Sequence, residues 1–394
     1  MLKVFKFFRI LFRLLVLLIL LLNVYVIVNG DWYFYKVIGN TIMKGRLGPA
    51  IDEYRKDDLG LIQKGTSYPH PLAKDYNQKS VSNEFQSYAN TYGTVAYVVL
   101  RNDSLVHEEY WEDWTKDSLS NSYSMAKSVV SLLIGCALHD GSIKSLDESV
   151  CNYLTEFNCE VNRNVTIKNL LTMSSAIDFD ESYISPFAFS AEALYTTSLK
   201  DATFEHKLVG EPGKQFDYQS GNTELLCLIL EKATGKSLAN YASEKLWSKM
   251  GAEKNAFWSL DEHKQARAFC CFVSNAKDFA RLGMLVNHYG KMYEQQLVDS
   301  SYIVEATAPN TSMAGDDGKP CNLYGYQFWM LNYKGYQVKY YRGILGQYII
   351  CIPEKNIVAV RLGKKRSKEK VNGHPKDVFL IIDETLDLLG KTNQ

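Results

Sequence analysis

No Cys-x-x-Cys pair with partner histidines occurs in this chain, which argues against a zinc site and leaves no cofactor expected. Excess charge is missing too. The 44 lysines and arginines balance 44 aspartates and glutamates, so nothing invites a polyanion such as nucleic acid. Internal repeats are absent, as are low-complexity tracts beyond the N-terminus. Acid is absent from Met1 to Arg13, where Lys3, Lys6, Arg9 and Arg13 stand without counter-charge. Leu14 to Val28 is then nearly unbroken hydrocarbon apart from Asn23. Counted from Ile10, the run holds about nineteen residues, close to the roughly twenty that cross a bilayer. The cations ahead of it predict a cytoplasmic N-terminus and an exported (periplasmic or extracellular) remainder. A cleaved signal peptide ending near Val28-Asn29-Gly30 is the alternative. The length of the run and the aromatic Trp32-Tyr33-Phe34-Tyr35 behind it favour an uncleaved single-pass anchor.

What is present divides into segments. At 394 residues the chain can hold one large domain or two intimate ones. We assign 1–30 to the membrane segment, 31–84 to a polar, irregular stalk and wrapping segment, and 85–390 to the main domain. Thr94 to Arg101 and Ser104 to Trp111 alternate as strands about an Asn102-Asp103 turn. Helical spacing governs Val165–Met173, Asn222–Gly235, Leu238–Met250 and Ala276–Tyr289. From Leu323 the period returns to two, over Leu323–Leu331, Gln337–Arg342, Tyr348–Pro353 and Ile357–Leu362, before an amphipathic helix at Asp377–Leu389. The expected fold is α+β: one antiparallel sheet flanked by helices, with an inserted all-helical lobe at about 150–300. A cleft between the two is the expected place for a site. Of eight cysteines, Cys151 and Cys159 flank a short loop and could pair in an exported domain. Cys136, Cys227 and Cys351 sit in apolar runs, and adjacent Cys270-Cys271 read as packing residues.

One stretch carries chemistry. Ser124-Met125-Ala126-Lys127 opens an apolar helix predicted to end near Asp140-Gly141. Residues three apart on a helix share a face, so the Ser124 hydroxyl and the Lys127 amine can converge at the helix N-terminus, where developing negative charge is favoured. A serine becomes a nucleophile when a base takes its proton, and a lysine serves if burial lowers its pKa. Spacing alone does not identify the pair, because Ser274/Lys277 and Ser367/Lys370 repeat it. Ser274 reads as a helix N-cap, and Ser367 lies in a charged loop. Further on, Pro212-Gly213…Tyr218-Gln219-Ser220-Gly221-Asn222 is a polar loop feeding an apolar helix, and Tyr341-Arg342-Gly343-Ile344 is a glycine-bearing strand end.

These motifs, with Ile167-Lys-Asn-Leu-Leu-Thr-Met-Ser-Ser175 and Arg281-Leu-Gly283, come in an order that resembles the serine β-lactamase/penicillin-binding-protein-like hydrolases over roughly residues 85–390. Within that superfamily the chain looks most like the branch of esterases and 6-aminohexanoate-dimer hydrolase. The resemblance implies Ser124 as nucleophile, Lys127 as proton acceptor or charge partner, and Tyr218 as a second acid/base. It implies an oxyanion hole from the backbone N–H groups of Ser124 and Ile344, and substrate contacts from Ser220, Asn222, Tyr341, Arg342 and Gly343. Where that superfamily has asparagine in its second motif this chain has Ser220, and where a lysine or histidine opens the third it has Tyr341. Tyr341 brings no charge, and Arg342, its strand neighbour, is expected on the other face. The expected enzyme is therefore a membrane-anchored serine hydrolase cleaving a neutral ester or amide of a small molecule or short peptide. A D-Ala peptidase or β-lactamase is one alternative, and a catalytically silent binding protein of the same fold is another.

Overall fold

The computed structural model describes residues 2–45, 48–52, 54, 58–315 and 317–390. The side chains of Leu2 and of Lys3, one of the cations counted above, lie outside that description. The strand-forming alternation builds a six-stranded antiparallel sheet in the order Ser104–Tyr110, Thr94–Arg101, Ile357–Gly363, Gln347–Ile352, Tyr336–Gly343, Trp329–Tyr333. Strands far apart in the chain thus meet in its middle, where Thr94–Arg101 pairs with Ile357–Gly363.

Period two sorts the side chains between the two faces. Val98, Leu100, Ile349, Cys351 and Val360 join the core beneath the helices Met125–His139 and Ala276–Asn287. Tyr97, Val99, Tyr348, Ile350 and Ala359 pack on the opposite face against the helices Asn83–Thr91 and Lys376–Leu388. Both faces are covered, so the sheet carries nearly continuous apolar runs and the site can only form at its end.

The inserted lobe is mostly helical, with Ile167–Leu171, Phe189–Tyr195, Leu199–Phe204, Ser220–Thr234 and Leu238–Lys245. It also holds strands that periodicity did not disclose. Ala256–Ser259 and Phe272–Ser274 pair with Leu59–Ile62 and Ser120–Asn121 into a four-stranded sheet. Strands of two to four residues are too short to display an alternation, which is why the lobe read as all-helical. The segment expected to be irregular, 31–84, likewise contributes Leu59–Ile62 and a helix at Tyr33–Asn40.

Leu2–Asn29 is one continuous helix, about 42 Å long at 1.5 Å per residue. Its side chains from Val4 onward are almost all exposed, although Val26 is fully covered. Tyr25 meets Phe187 edge-on at 5.2 Å, and Phe34 stacks on the same ring at 5.1 Å. The apolar helix therefore ends against a loop of the main domain. Cys151 pairs with Cys159, and Cys270 pairs with Cys271; the latter two are bridged, not merely packed. Cys136, Cys227 and Cys351 are buried free thiols, as their apolar surroundings predicted.

Candidate active site

Ser124 stands at the N-cap position of the helix Met125–His139, and its side chain makes no capping hydrogen bond. The bland role for a serine there is thus not the one it plays. Its hydroxyl is left to the Lys127 amine and to the cleft it lines with Tyr218. The turn that presents it is strained: Tyr123 has φ +46°, a conformation costing a bulky residue on the order of 1–3 kcal/mol. Local bonds hold it there. The Tyr123 hydroxyl donates to the Ala50 carbonyl at 2.8 Å, and its N–H donates to Asn121 Oδ1 at 2.8 Å.

Lys127 lies one turn into the helix and is 1% exposed. Its Nζ donates to the Phe269 carbonyl at 2.9 Å, to Ser220 Oγ at 3.0 Å, and to Ser124 Oγ at a longer 3.5 Å. The rings of Tyr218 and Phe269 approach the amine at 5.2 and 5.4 Å. Burial lowers its pKa to about 8, and the nearby acids Glu181 and Glu224 only partly oppose that. At pH 7 about one molecule in ten then carries the neutral amine, the form able to accept a proton. Tyr218 is shifted the other way. Loss of water around its oxygen pushes its pKa upward, so the phenol keeps its proton at neutral pH.

Glu181 extends this network, and no motif announced it. Its carboxylate accepts from Ser220 N–H at 2.6 Å, from Ser220 Oγ at 2.7 Å and from the Tyr183 hydroxyl at 2.6 Å. A chain of contacts therefore runs Ser124, Lys127, Ser220, Glu181. Glu224, fully buried, accepts from Ala268 N–H at 3.0 Å, one residue before the carbonyl that holds Lys127. Burial pushes the Glu224 carboxyl up, toward its uncharged form.

The strand Tyr336–Gly343 brings the remaining groups. A Cβ on Gly343 would lie 2.3 Å from the Ser122 carbonyl, so only glycine lets the strand end pass this close to the Ser124 turn. Ile344 follows in the turn Ile344–Gly346, whose Leu345 and Gly346 carbonyls accept from the buried Arg361 guanidinium at 3.1 and 2.8 Å. Ser124, Tyr218, Arg342, Gly343 and Ile344 all line one cleft of about 980 Å³. A second, more apolar cavity of about 900 Å³ shares Ser124, Tyr183, Arg342, Ile344, Arg366 and Lys370 with it.

Two residues expected at the substrate lie elsewhere. Asn222 is fully buried, accepts from Ser175 Oγ at 2.6 Å and lines neither cavity, because the helix Ser220–Thr234 turns it inward. Tyr341 faces the core, its hydroxyl donating to the Leu282 carbonyl at 3.0 Å. Strand alternation then aims Arg342 into the cleft, its guanidinium 4.4 Å from the Trp329 ring centre. Arg366 joins it, and neither pairs with a carboxylate among the described residues. The expectation of a cleft without a cation is therefore corrected: the cation sits one residue later than the motif places it.

Ser274 ends the strand Phe272–Ser274, and the helix after it is capped by Asn275, which accepts from Asp278 N–H at 2.9 Å. The expected N-cap role of Ser274 thus moves one residue on.

Comparison with known proteins agrees with this architecture. The Beta-lactamase family model matches residues 83–380. A 6-aminohexanoate-dimer hydrolase from Paenarthrobacter ureafaciens is 24% identical over 310 residues, 74% of this chain and 77% of that protein. A solved Bacillus anthracis protein bearing the 6-aminohexanoate-dimer hydrolase designation superposes with a TM-score of 0.70 at 22% identity, covering 83% of this chain and 89% of its own. A family VIII carboxylesterase has the same fold at a TM-score of 0.60 and 14% identity, covering 81% of this chain and 99% of its own. The matched region contains the six-stranded sheet, Ser124, Lys127, Tyr218 and the Ile344 turn, and the chain belongs to the Beta-lactamase family.

Proposed function

We propose that this protein is a membrane-tethered serine hydrolase that cleaves an ester or amide through an acyl-enzyme on Ser124. The observation that carries the reading is Lys127, buried beside Ser124 with its pKa lowered to about 8. Neutral Lys127 takes the Ser124 proton as Oγ attacks the substrate carbonyl. The tetrahedral oxyanion forms against the N–H groups of Ser124 and Ile344, preorganised donors worth roughly 3 kcal/mol each. Tyr218, which holds its proton, gives it to the departing alcohol or amine and recovers one through Lys127. Water then attacks the acyl carbonyl, its proton passes to the same groups, and the carboxylic acid leaves with Ser124 restored.

The curated relative named for 6-aminohexanoate-dimer hydrolysis supports a small amide or ester as the substrate class. The apolar helix Val4–Asn29 supports the tether. The Cys151–Cys159 and Cys270–Cys271 bridges favour an oxidising compartment, consistent with an exported domain. An active-site-directed fluorophosphonate tests the reading. Wild-type protein should be labelled and Ser124→Ala spared; labelling of neither, or of both equally, would remove Ser124 from the chemistry.

A further inference from the structure

The cavity next to the cleft is not accounted for by a small substrate. Its lining joins Ser124 and Ile344 to Phe269, Leu345, Leu194, Ile184, Val37 and Ile42. Val37 belongs to the helix Tyr33–Asn40, which begins four residues after the apolar helix ends. Part of the cavity wall is thus built from the segment that follows the apolar helix.

Two contacts fix that proximity. Phe187, in the loop that supplies Ser182, Tyr183, Ile184 and Pro186 to the cavity, touches Tyr25 of the apolar helix and Phe34 just beyond it. The mouth also exposes hydrocarbon that water would penalise. Ile184 is 95% exposed and Ile42 66%, and Met43, next to Ile42 in the chain, is 80% exposed. Such a cluster beside a spanning helix fits the bilayer interface better than bulk water. Across Ser124 the other cleft carries Arg342 and Arg366. Both arginines border the apolar cavity as well, where Lys365, Lys368 and Lys370 join them, so an apolar path from Ser124 is edged by cations.

We infer that the apolar cavity takes the acyl chain of a membrane lipid ester, drawn in from the bilayer beside the anchor. This rests on the acyl-enzyme reading above and names its substrate class. The Ser124 Oγ–carbonyl bond forms and the carbonyl–alkoxy bond breaks. The Ser124 proton goes to Lys127 and the leaving alkoxide takes one from Tyr218. Water then releases the fatty acid. The alcohol portion, with any phosphate it bears, leaves past Arg342 and Arg366, which border both cavities.

The test uses the full chain in detergent micelles with p-nitrophenyl esters of two to sixteen carbons. A parallel set in phosphatidylcholine–phosphatidylglycerol vesicles follows fatty acid release, with fluorophosphonate labelling of Ser124 run throughout. We expect kcat/KM to climb with chain length by up to roughly tenfold per two methylenes. Ile184→Asp, at a fully exposed and thus fold-neutral position, should flatten that climb, and fatty acid should leave the vesicles. A flat chain-length profile with Ser124 still labelled overturns the lipid assignment alone. A climbing profile without release from vesicles overturns the membrane source. Failure of labelling overturns the acyl-enzyme reading beneath both.

Discussion

Two copies of Ser-x-x-Lys in this chain lie close to helix starts in the same domain, yet their surroundings set them apart. Lys127 is sealed in, with a carbonyl, two hydroxyls and two aromatic rings around its amine and no carboxylate within ion-pair distance among the described residues. Lys277 keeps 14% of its side chain in water and pairs with Glu253 at 3.5 Å. Ser124 sits free of capping at its helix start, whereas Ser274 ends a strand with its hydroxyl buried and without a partner among the described residues. Spacing brings hydroxyl and amine near each other in sequence. Only burial without a full counter-charge makes the amine a base.

Breaking the first pair should have the largest effect. Lys127→Ala should slow Ser124 labelling by on the order of 10³-fold while the protein stays folded by circular dichroism. Labelling at the wild-type rate would take Lys127 out of the mechanism. Tyr218→Phe should lower kcat/KM for ester hydrolysis by about 10²-fold or more, since the leaving group loses its proton donor. The loss should be greater for an amide, whose nitrogen leaves poorly unprotonated, than for a p-nitrophenyl ester; equal losses on both would argue for a packing role. Lys277→Ala sharpens the comparison from the other side. Its activity should stay within about twofold, with stability lowered by under about 1 kcal/mol in denaturant titration, as fits a partly exposed ion pair.

Much of the fold was legible because period-two and helical runs are long in this chain. The strands at Thr94, Tyr336, Gln347 and Ile357 and the helices at Met125, Ser220, Ala276 and Lys376 fall within a few residues of where the pattern places them. The core of the site was legible for a different reason, the order of short motifs along the chain. Glu181 was not, since nothing in Asp180-Glu181-Ser182 distinguishes it from a solvated acid until the fold lays it against Ser220. Arg342 was half legible: alternation states that it opposes Tyr341, but which of the two meets the cleft depends on which face packs against Ala276–Asn287. The apolar cavity was out of reach. Val37, Ile184, Phe269 and Leu345 are brought together only by tertiary structure.

The central claim is that Ser124 is activated by a lysine kept partly uncharged. The rate of fluorophosphonate labelling at Ser124, followed from pH 6 to pH 10, tests it most directly. Because the neutral amine is the active form, the rate should rise about tenfold per unit below the lysine pKa. It should bend near pH 8, where burial places Lys127, and level off above it. A rate that does not change over this range, or that first bends near the ordinary lysine value of about 10.4, would contradict the account.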